Sequence, residues 1–150
     1  MFRGIHLLSM DAKGRNKIPS RHVGQVTKIC SRQMVMSINP DAPCLVLYPL
    51  KDWQQLEIKI GELPSLNIHT KKLSRKLIGH AIDCELDKIG RILIPSSHKN
   101  YANLNNKVIL SGQGKSFEIW DERAWKDQIE KIERLSNQTE VPQEISKLSL

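Results

Sequence analysis

The feature that most constrains the fold of this chain is an internal repeat. Residues 11–20 read Asp-Ala-Lys-Gly-Arg-Asn-Lys-Ile-Pro-Ser, and residues 87–96 read Asp-Lys-Ile-Gly-Arg-Ile-Leu-Ile-Pro-Ser, so six of ten positions are identical at an offset of 76. A second pair of similar segments follows these two copies in the same order. The apolar segment 44–48 precedes Trp53, and the corresponding segment 116–120 precedes Trp125. Two matches in one order predict a duplicated unit. The length of 150 residues suits one domain or two small halves with a shared core.

Each copy predicts the same sequence of elements. A short strand ends at Asp, and Asp-x-x-Gly is turn chemistry, because the carboxylate accepts from nearby backbone N–H groups and Gly supplies a positive φ. A second strand ends at Pro, which suits the entry to a short helix. Two further strands and a closing helix complete the unit. The predicted strands are 5–10, 15–18, 34–38 and 45–48, repeated at 82–86, 91–94, 107–110 and 116–120.

These elements predict an α+β, β-rich fold of duplicated βαββ-type units. We expect a first unit at 1–62, a bridging helix at 63–80, a second unit at 81–135 and a C-terminal tail at 136–150. Each unit alone has a marginal core, so we expect one intertwined body with helices on its outside. The bridging helix carries Lys71, Lys72, Arg75 and Lys76, which form either a solvated helix face or a patch for phosphate.

The charge distribution favours a polyanionic partner. Residues 1–80 hold 13 basic and 5 acidic side chains, whereas residues 81–150 hold 10 and 11. A basic half of this kind suits nucleic acid first and a membrane surface second. The longest strongly apolar run, 44–48, is far shorter than the roughly 20 residues of a membrane span, and no signal-peptide stretch opens the chain. We therefore expect a cytoplasmic protein associated with the nucleoid, without a membrane partner.

Motifs for catalysis or metal binding are missing from the sequence. The three cysteines form no Cys-x-x-Cys pair, the five histidines form no His-x-x-x-His pair, and neither a Gly-x-Ser-x-Gly elbow nor a P-loop occurs. A nuclease would need a carboxylate cluster beside the basic half. We therefore expect no enzyme activity, no catalytic residues, no metal, no cofactor and no small-molecule substrate.

The repeat and the segments between its copies resemble the MraZ family, which consists of two SpoVT-AbrB-like units. The similarity covers the whole chain, and its most specific parts are 1–4, 11–15, 43–49, 79–81, 87–91 and 117–121. The resemblance implies a swapped-hairpin barrel of the double-psi-like, AbrB type. It also implies a ring-shaped homo-oligomer, with an octamer as one ring size. The implied function is sequence-specific binding of direct repeats upstream of the division and cell-wall gene cluster, as a repressor.

The physical argument for DNA binding rests on the turns. A two-stranded hairpin fits the major groove, and a guanidinium held in one orientation can donate two hydrogen bonds to O6 and N7 of guanine. Asp11 and Asp87 are the predicted orienting residues. The predicted DNA-contacting residues are Arg15, Lys13, Arg3, Lys17, Arg91 and Asn16. The alternative interpretation is a salt bridge that only stabilises each turn.

The second copy has lost cations, which leaves its role open. Ile89 stands in place of Lys13, and Leu93 stands in place of Lys17. This copy either contacts DNA through Arg91 or serves as a structural or subunit-contact copy. A second function class is an antitoxin-like protein whose tail blocks a partner protein. Such tails are usually long and acidic, whereas the tail here is short and nearly uncharged.

Overall fold

Both halves of the chain fold into the same order of elements, as a computed structural model covering residues 1–150 shows. The first half contains β1 (Ile5–Ser9), β2 (Arg15–Lys17), α1 (Ser20–Cys30), β3 (Gln33–Ile38), β4 (Leu45–Pro49) and α2 (Leu50–Gly61). A connecting helix α3 (Ile68–Leu73) continues as a π-helical turn (Ser74–Ile78). The second half contains β5 (Ile82–Glu85), β6 (Arg91–Leu93), α4 (Ser96–Tyr101), β7 (Lys107–Gly112), β8 (Phe117–Asp121) and α5 (Glu122–Ser136). One turn of helix, α6 (Gln143–Ser146), lies in the tail.

The predicted strands are present, with ends that differ by at most two residues, whereas the bridging helix expected at 63–80 is helical only over 68–78. Pro19 and Pro95 precede α1 and α4, where a missing N–H costs nothing because the first helical N–H groups have no partner in the helix. The side chain of Asp121 caps α5 by accepting from the backbone N–H of Arg123 at 3.1 Å. The one departure in helix type is the bridging segment, whose second part widens into a π-helix.

The strands of the two halves are interleaved in one six-stranded sheet. Its order is β1-β7-β8-β4-β3-β5, and all its pairings are antiparallel. β1 of the first half pairs with β7 of the second, and β5 of the second half pairs with β3 of the first. The α+β, β-rich class is therefore confirmed. β1 and β5 lie at the two edges, so hydrogen bonding does not close the sheet into a ring.

The strand that follows each turn pairs differently from a local hairpin. β2 does not run back along β1, and instead forms a separate two-stranded ribbon with β6. The reason lies in the turn, where the backbone N–H of Arg15 bonds to the Asp11 carboxylate at 2.9 Å and the Asp11 carbonyl accepts from Gly14. The hydrogen-bond ladder between β1 and β2 therefore stops after one bond, from the backbone N–H of Asp11 to the carbonyl oxygen of Arg15 at 3.0 Å. The returning strand is left free to pair with the other half.

The core is shared by the two halves. Its largest cluster contains 16 buried apolar residues drawn from both units; they include Met36, Leu45, Ile92, Leu110 and Phe117. A smaller cluster around Trp53 packs α2 and the π-helical turn against the sheet. No helix has the length and apolar character that crossing a bilayer requires. Because both halves contribute to one core, the ribbon of β2 and β6 is held in place by the whole chain.

Candidate nucleic-acid interface

The two repeated turns have nearly identical hydrogen bonds. In the first, Oδ1 of Asp11 accepts from the backbone N–H groups of Lys13 and Arg15, both at 2.9 Å, and Oδ2 accepts from Nε of Arg15 at 2.7 Å. In the second, Asp87 accepts from the backbone of Ile89 and Arg91 at 3.0 and 2.8 Å, and from Nε of Arg91 at 2.7 Å. The repeated turn sequence therefore places the two guanidinium groups in the same way.

Both turns need a glycine for the same reason. Gly14 has a φ of 84° and Gly90 a φ of 82°, a region that residues with a side chain rarely adopt. A Cβ on Gly14 would lie 2.9 Å from the carbonyl oxygen of Ile94, and one on Gly90 would lie 2.8 Å from Cγ2 of Val23. Each turn is therefore packed tightly against the opposite half of the chain.

The carboxylates of the turns are stabilised in their charged form. The backbone N–H of Arg15 is the main cause that holds the pKa of Asp11 below its ordinary value, and the Arg15 side chain and the Lys13 N–H act in the same direction. The backbone N–H of Arg91 does the same for the pKa of Asp87. Both carboxylates are consequently ionised at neutral pH, when each attracts the arginine beside it.

Each arginine keeps its outer nitrogens free. Only Nε of Arg15 and Nε of Arg91 have partners within the chain, and each side chain is about one-third exposed, at 32% and 31%. The two Nη groups of each guanidinium therefore point to no protein acceptor. Two parallel N–H donors held in one plane match the O6 and N7 acceptors of guanine.

The ribbon gathers cations on its solvent side. Its register places Arg15 opposite Leu93, Asn16 opposite Ile92 and Lys17 opposite Arg91. Because side chains alternate along a strand, the central pair of Asn16 and Ile92 faces the core, and the outer pairs face solvent. Lys17 and Arg91 are like charges directly across from each other, an arrangement that disfavours the free protein and favours an anion between them.

The structure separates two predicted residues from this surface. Asn16 is 2% exposed, and its Nδ2 donates to the carbonyl of Gly14 at 3.3 Å, so its side chain has no access to DNA in this conformation. Arg3 is exposed but lies beyond the far end of β1, next to the Phe2–Gly114 bridge. Seven residues of largely extended chain lie between it and Asp11, which places the two roughly 25 Å apart. Lys13 is exposed at the first turn, beside Arg15.

One cation near the turn was not predicted from the sequence. A methyl group on Gly14 would lie 3.3 Å from Nζ of Lys99, so this lysine of α4 stands beside the first turn. The residue that takes the same place beside the second turn is Val23 of α1. Lys99 and Val23 are separated by the repeat offset of 76, which is the only signal in the sequence that relates them.

Comparisons with known proteins agree on one family. Residues 1–76 and 77–146 both match the family model described as "MraZ protein, putative antitoxin-like". A relative from Alkalilimnicola ehrlichii named "Transcriptional regulator MraZ" is 44% identical over 150 residues, covering 100% of each chain. Relatives of the same name from Pseudomonas aeruginosa and Methylococcus capsulatus are 46% identical over 125 residues. Those alignments cover 83% of this chain, and 83% and 82% of the relatives.

Proposed function

Because this chain belongs to the MraZ family, we propose that it is a sequence-specific DNA-binding transcriptional regulator that uses the β2–β6 ribbon to read the major groove. The observation that carries the proposal is the pair of guanidinium groups on the solvent side of this ribbon. Each is fixed at Nε by a carboxylate and free at its outer nitrogens. A two-stranded ribbon has the width that the major groove admits.

The residues of the ribbon and its turns have different roles in DNA binding. Arg15 and Arg91 donate to guanine edges, and each such bidentate contact discriminates against another base by about 1–3 kcal/mol. Lys13 and Lys17 are exposed and neutralise phosphates, so each adds about −0.9 to the slope of log affinity against log salt. Asp11 and Asp87 orient the arginines. Arg3 lies too far from the ribbon to share its base contacts and would contact DNA at a separate place, and Asn16 supports the first turn through its hydrogen bond to Gly14.

The assembly we propose is a ring of identical chains, with a swapped-hairpin barrel as each chain's central body. The exchange of strands between the two halves, in particular the β2–β6 pairing, supports the barrel description. A row of half-exposed apolar side chains on α5 (Ile129, Ile132 and Leu135) supports burial against another subunit. Ribbons displayed side by side would engage direct repeats together, which multiplies modest affinities. We place this activity in the cytoplasm, at the nucleoid, where a repressor would act upstream of the division and cell-wall gene cluster.

The test compares two arginine variants in a gel shift with a promoter fragment that contains the repeats. Arg15→Ala removes the fixed guanidinium, and we expect a loss of about tenfold or more, the value of one good base contact. Arg123→Ala is the matched control, because it removes an equal charge from an exposed position on α5. Equal affinity of the two variants would contradict a role for Arg15 in reading the operator.

An antitoxin-like role is the second candidate. It is supported by the wording of the family description and by the tail, whose apolar residues Val141, Ile145, Leu148 and Leu150 are at least half exposed. Such a tail could lie on a partner protein. A second protein in stoichiometric amount after purification from the native cell would favour this role, and purification of the chain alone would exclude it.

A further inference from the structure

The β2–β6 ribbon has an approximate twofold axis. The repeat offset of 76 exchanges Arg15 with Arg91 and Lys17 with Leu93, and these four residues form the two outer pairs of the ribbon. The bonds at its ends are exchanged as well, because Ile18 N donates to Gly90 O at 2.9 Å and Ile94 N donates to Gly14 O at 3.0 Å. The backbone and the two arginines therefore look the same after a rotation of 180°.

A symmetric ribbon would bind its site in two directions. The phosphate backbone of a duplex has its own local twofold axes, so a ribbon with two equivalent ends gains the same contacts after rotation. Side chains that break the equivalence must then decide the direction. The central pair, Asn16 and Ile92, is buried and cannot do so, since their exposures are 2% and 0%.

Within the ribbon, the exposed residues that differ between the two ends are Lys17 and Leu93. One end presents Arg15 with Leu93, and the other presents Arg91 with Lys17. Leu93 is 53% exposed, and Ile89, at the neighbouring turn, is 59% exposed. Large aliphatic side chains on an otherwise cationic surface can pack against an apolar group in the major groove. The only methyl group that the bases expose there belongs to thymine.

We propose that Leu93 sets the direction in which each subunit reads its site, by packing on a thymine methyl group next to the guanine that Arg15 contacts. This inference rests on the proposed function. Cβ atoms of directly opposed strand residues lie about 5 Å apart, between one and two base-pair steps of about 3.4 Å, so Arg15 and Leu93 are spaced to address neighbouring base pairs. The residues that pack beside the turns also differ between the two ends, because Lys99 lies beside the first turn and Val23 beside the second.

The polarity explains why repeats would have to run in one direction. Subunits related by rotation around a ring all present their Arg15–Leu93 end the same way along a bound duplex. A site turned around would place Lys17 on the thymine methyl and Leu93 against a phosphate or a guanine, and both contacts are poor. Direct repeats satisfy every subunit at once, and inverted repeats satisfy only half of them.

The experiment uses the full-length protein and duplexes selected from random DNA. One array carries two selected sites as direct repeats, and a second carries the same sites with one inverted about its own centre at unchanged spacing. We expect the wild type to prefer the direct array by about tenfold, as for one mismatched contact. Leu93→Lys and Lys17→Leu each give the two outer pairs of the ribbon the same side chains, so both should lower this ratio towards one. Because the two variants change the net charge in opposite directions, a shared loss of preference cannot come from charge.

A second measurement tests the methyl contact itself. Deoxyuridine in place of thymine removes the methyl group at one position at a time. The wild type should lose about threefold to fourfold at the thymine beside the guanine, the value of one buried methyl group. Leu93→Lys should lose nothing at that position.

The outcomes separate this inference from the proposed function. If the wild type prefers neither array over random duplex, the proposed function fails, and the inference fails with it. If the wild type binds both arrays tightly and equally, or if its preference survives both variants, only the inference fails. If Leu93→Lys lowers the molecular mass of the assembly in solution, Leu93 belongs to a subunit contact and the inference is also wrong.

Discussion

Replacing Asp11 with Asn should separate the stability of the turn from the orientation of its arginine. The Asn side-chain oxygen can still accept from the backbone N–H groups of Lys13 and Arg15, which the carboxylate now accepts at 2.9 Å. Its amide group, however, would direct a donor at Nε of Arg15, where the carboxylate oxygen now accepts at 2.7 Å. The turn should therefore persist while the guanidinium is released.

The expected size of the effect follows from the freedom that Arg15 regains. Ordering a free arginine side chain costs about 1.5–2 kcal/mol, and the Nε contact has already removed most of that freedom before DNA arrives. Affinity for the operator should therefore fall by about tenfold. Removal of a negative charge beside phosphates works in the opposite direction, so a charge control is needed.

Asp83→Asn supplies that control, because Asp83 is an exposed carboxylate of β5 without a hydrogen-bonding arginine. Both variants should be titrated with labelled operator DNA by fluorescence anisotropy, at about 0.1 M salt and at a higher concentration that shortens the range of surface charges. Asp11→Asn should bind more weakly than Asp83→Asn at both concentrations. If the two bind equally well, Asp11 does not prepare Arg15 for DNA.

Two further predictions concern the stability of the turns. Because the pKa values of Asp11 and Asp87 are lowered in the folded chain, these carboxylates stabilise it above the ordinary carboxyl pKa of 3.8, and this contribution is lost as the pH falls through the lowered values. Denaturant midpoints should thus differ between the wild type and the Asp11→Asn, Asp87→Asn double variant at neutral pH, and the difference should shrink below about pH 4; a constant difference would contradict the linkage. Gly14→Ala and Gly90→Ala should each lose about 1–2 kcal/mol from the positive φ alone. Adding Val23→Ala should restore part of the melting temperature to Gly90→Ala, since the clash there is with a side chain, and none to Gly14→Ala, since the clash there is with a backbone carbonyl.

Features that depend on a few neighbouring residues could be predicted from the sequence. The Asp–Arg contact within each turn is one example, because both residues belong to a single five-residue turn. The limits of the strands and helices are another, because Pro, Gly and the capping Asp121 act locally. The sequence of strands and helices along the chain was therefore predictable in both halves.

Features that depend on pairing between the halves could not be predicted in the same way. Asn16 is among the residues that the sequence predicts to contact DNA, but the register with Ile92 turns it towards the core. The placement of Lys99 beside Gly14 depends on α4 of the other half packing against the first turn. Alternation along a strand tells which residues share a face, and only the tertiary partner decides which of the two faces is buried.

The exchange of strands between the halves also bears on how such a protein is made and how it could have arisen. During synthesis the first turn emerges long before its partner strand, so the DNA-reading surface forms only after residue 93 has left the ribosome. A chain of half this length would have to borrow the missing strand from a second molecule and would be functional only above a threshold concentration. Joining two copies in one gene makes that encounter intramolecular, and it lets the two copies diverge into ends that are no longer the same.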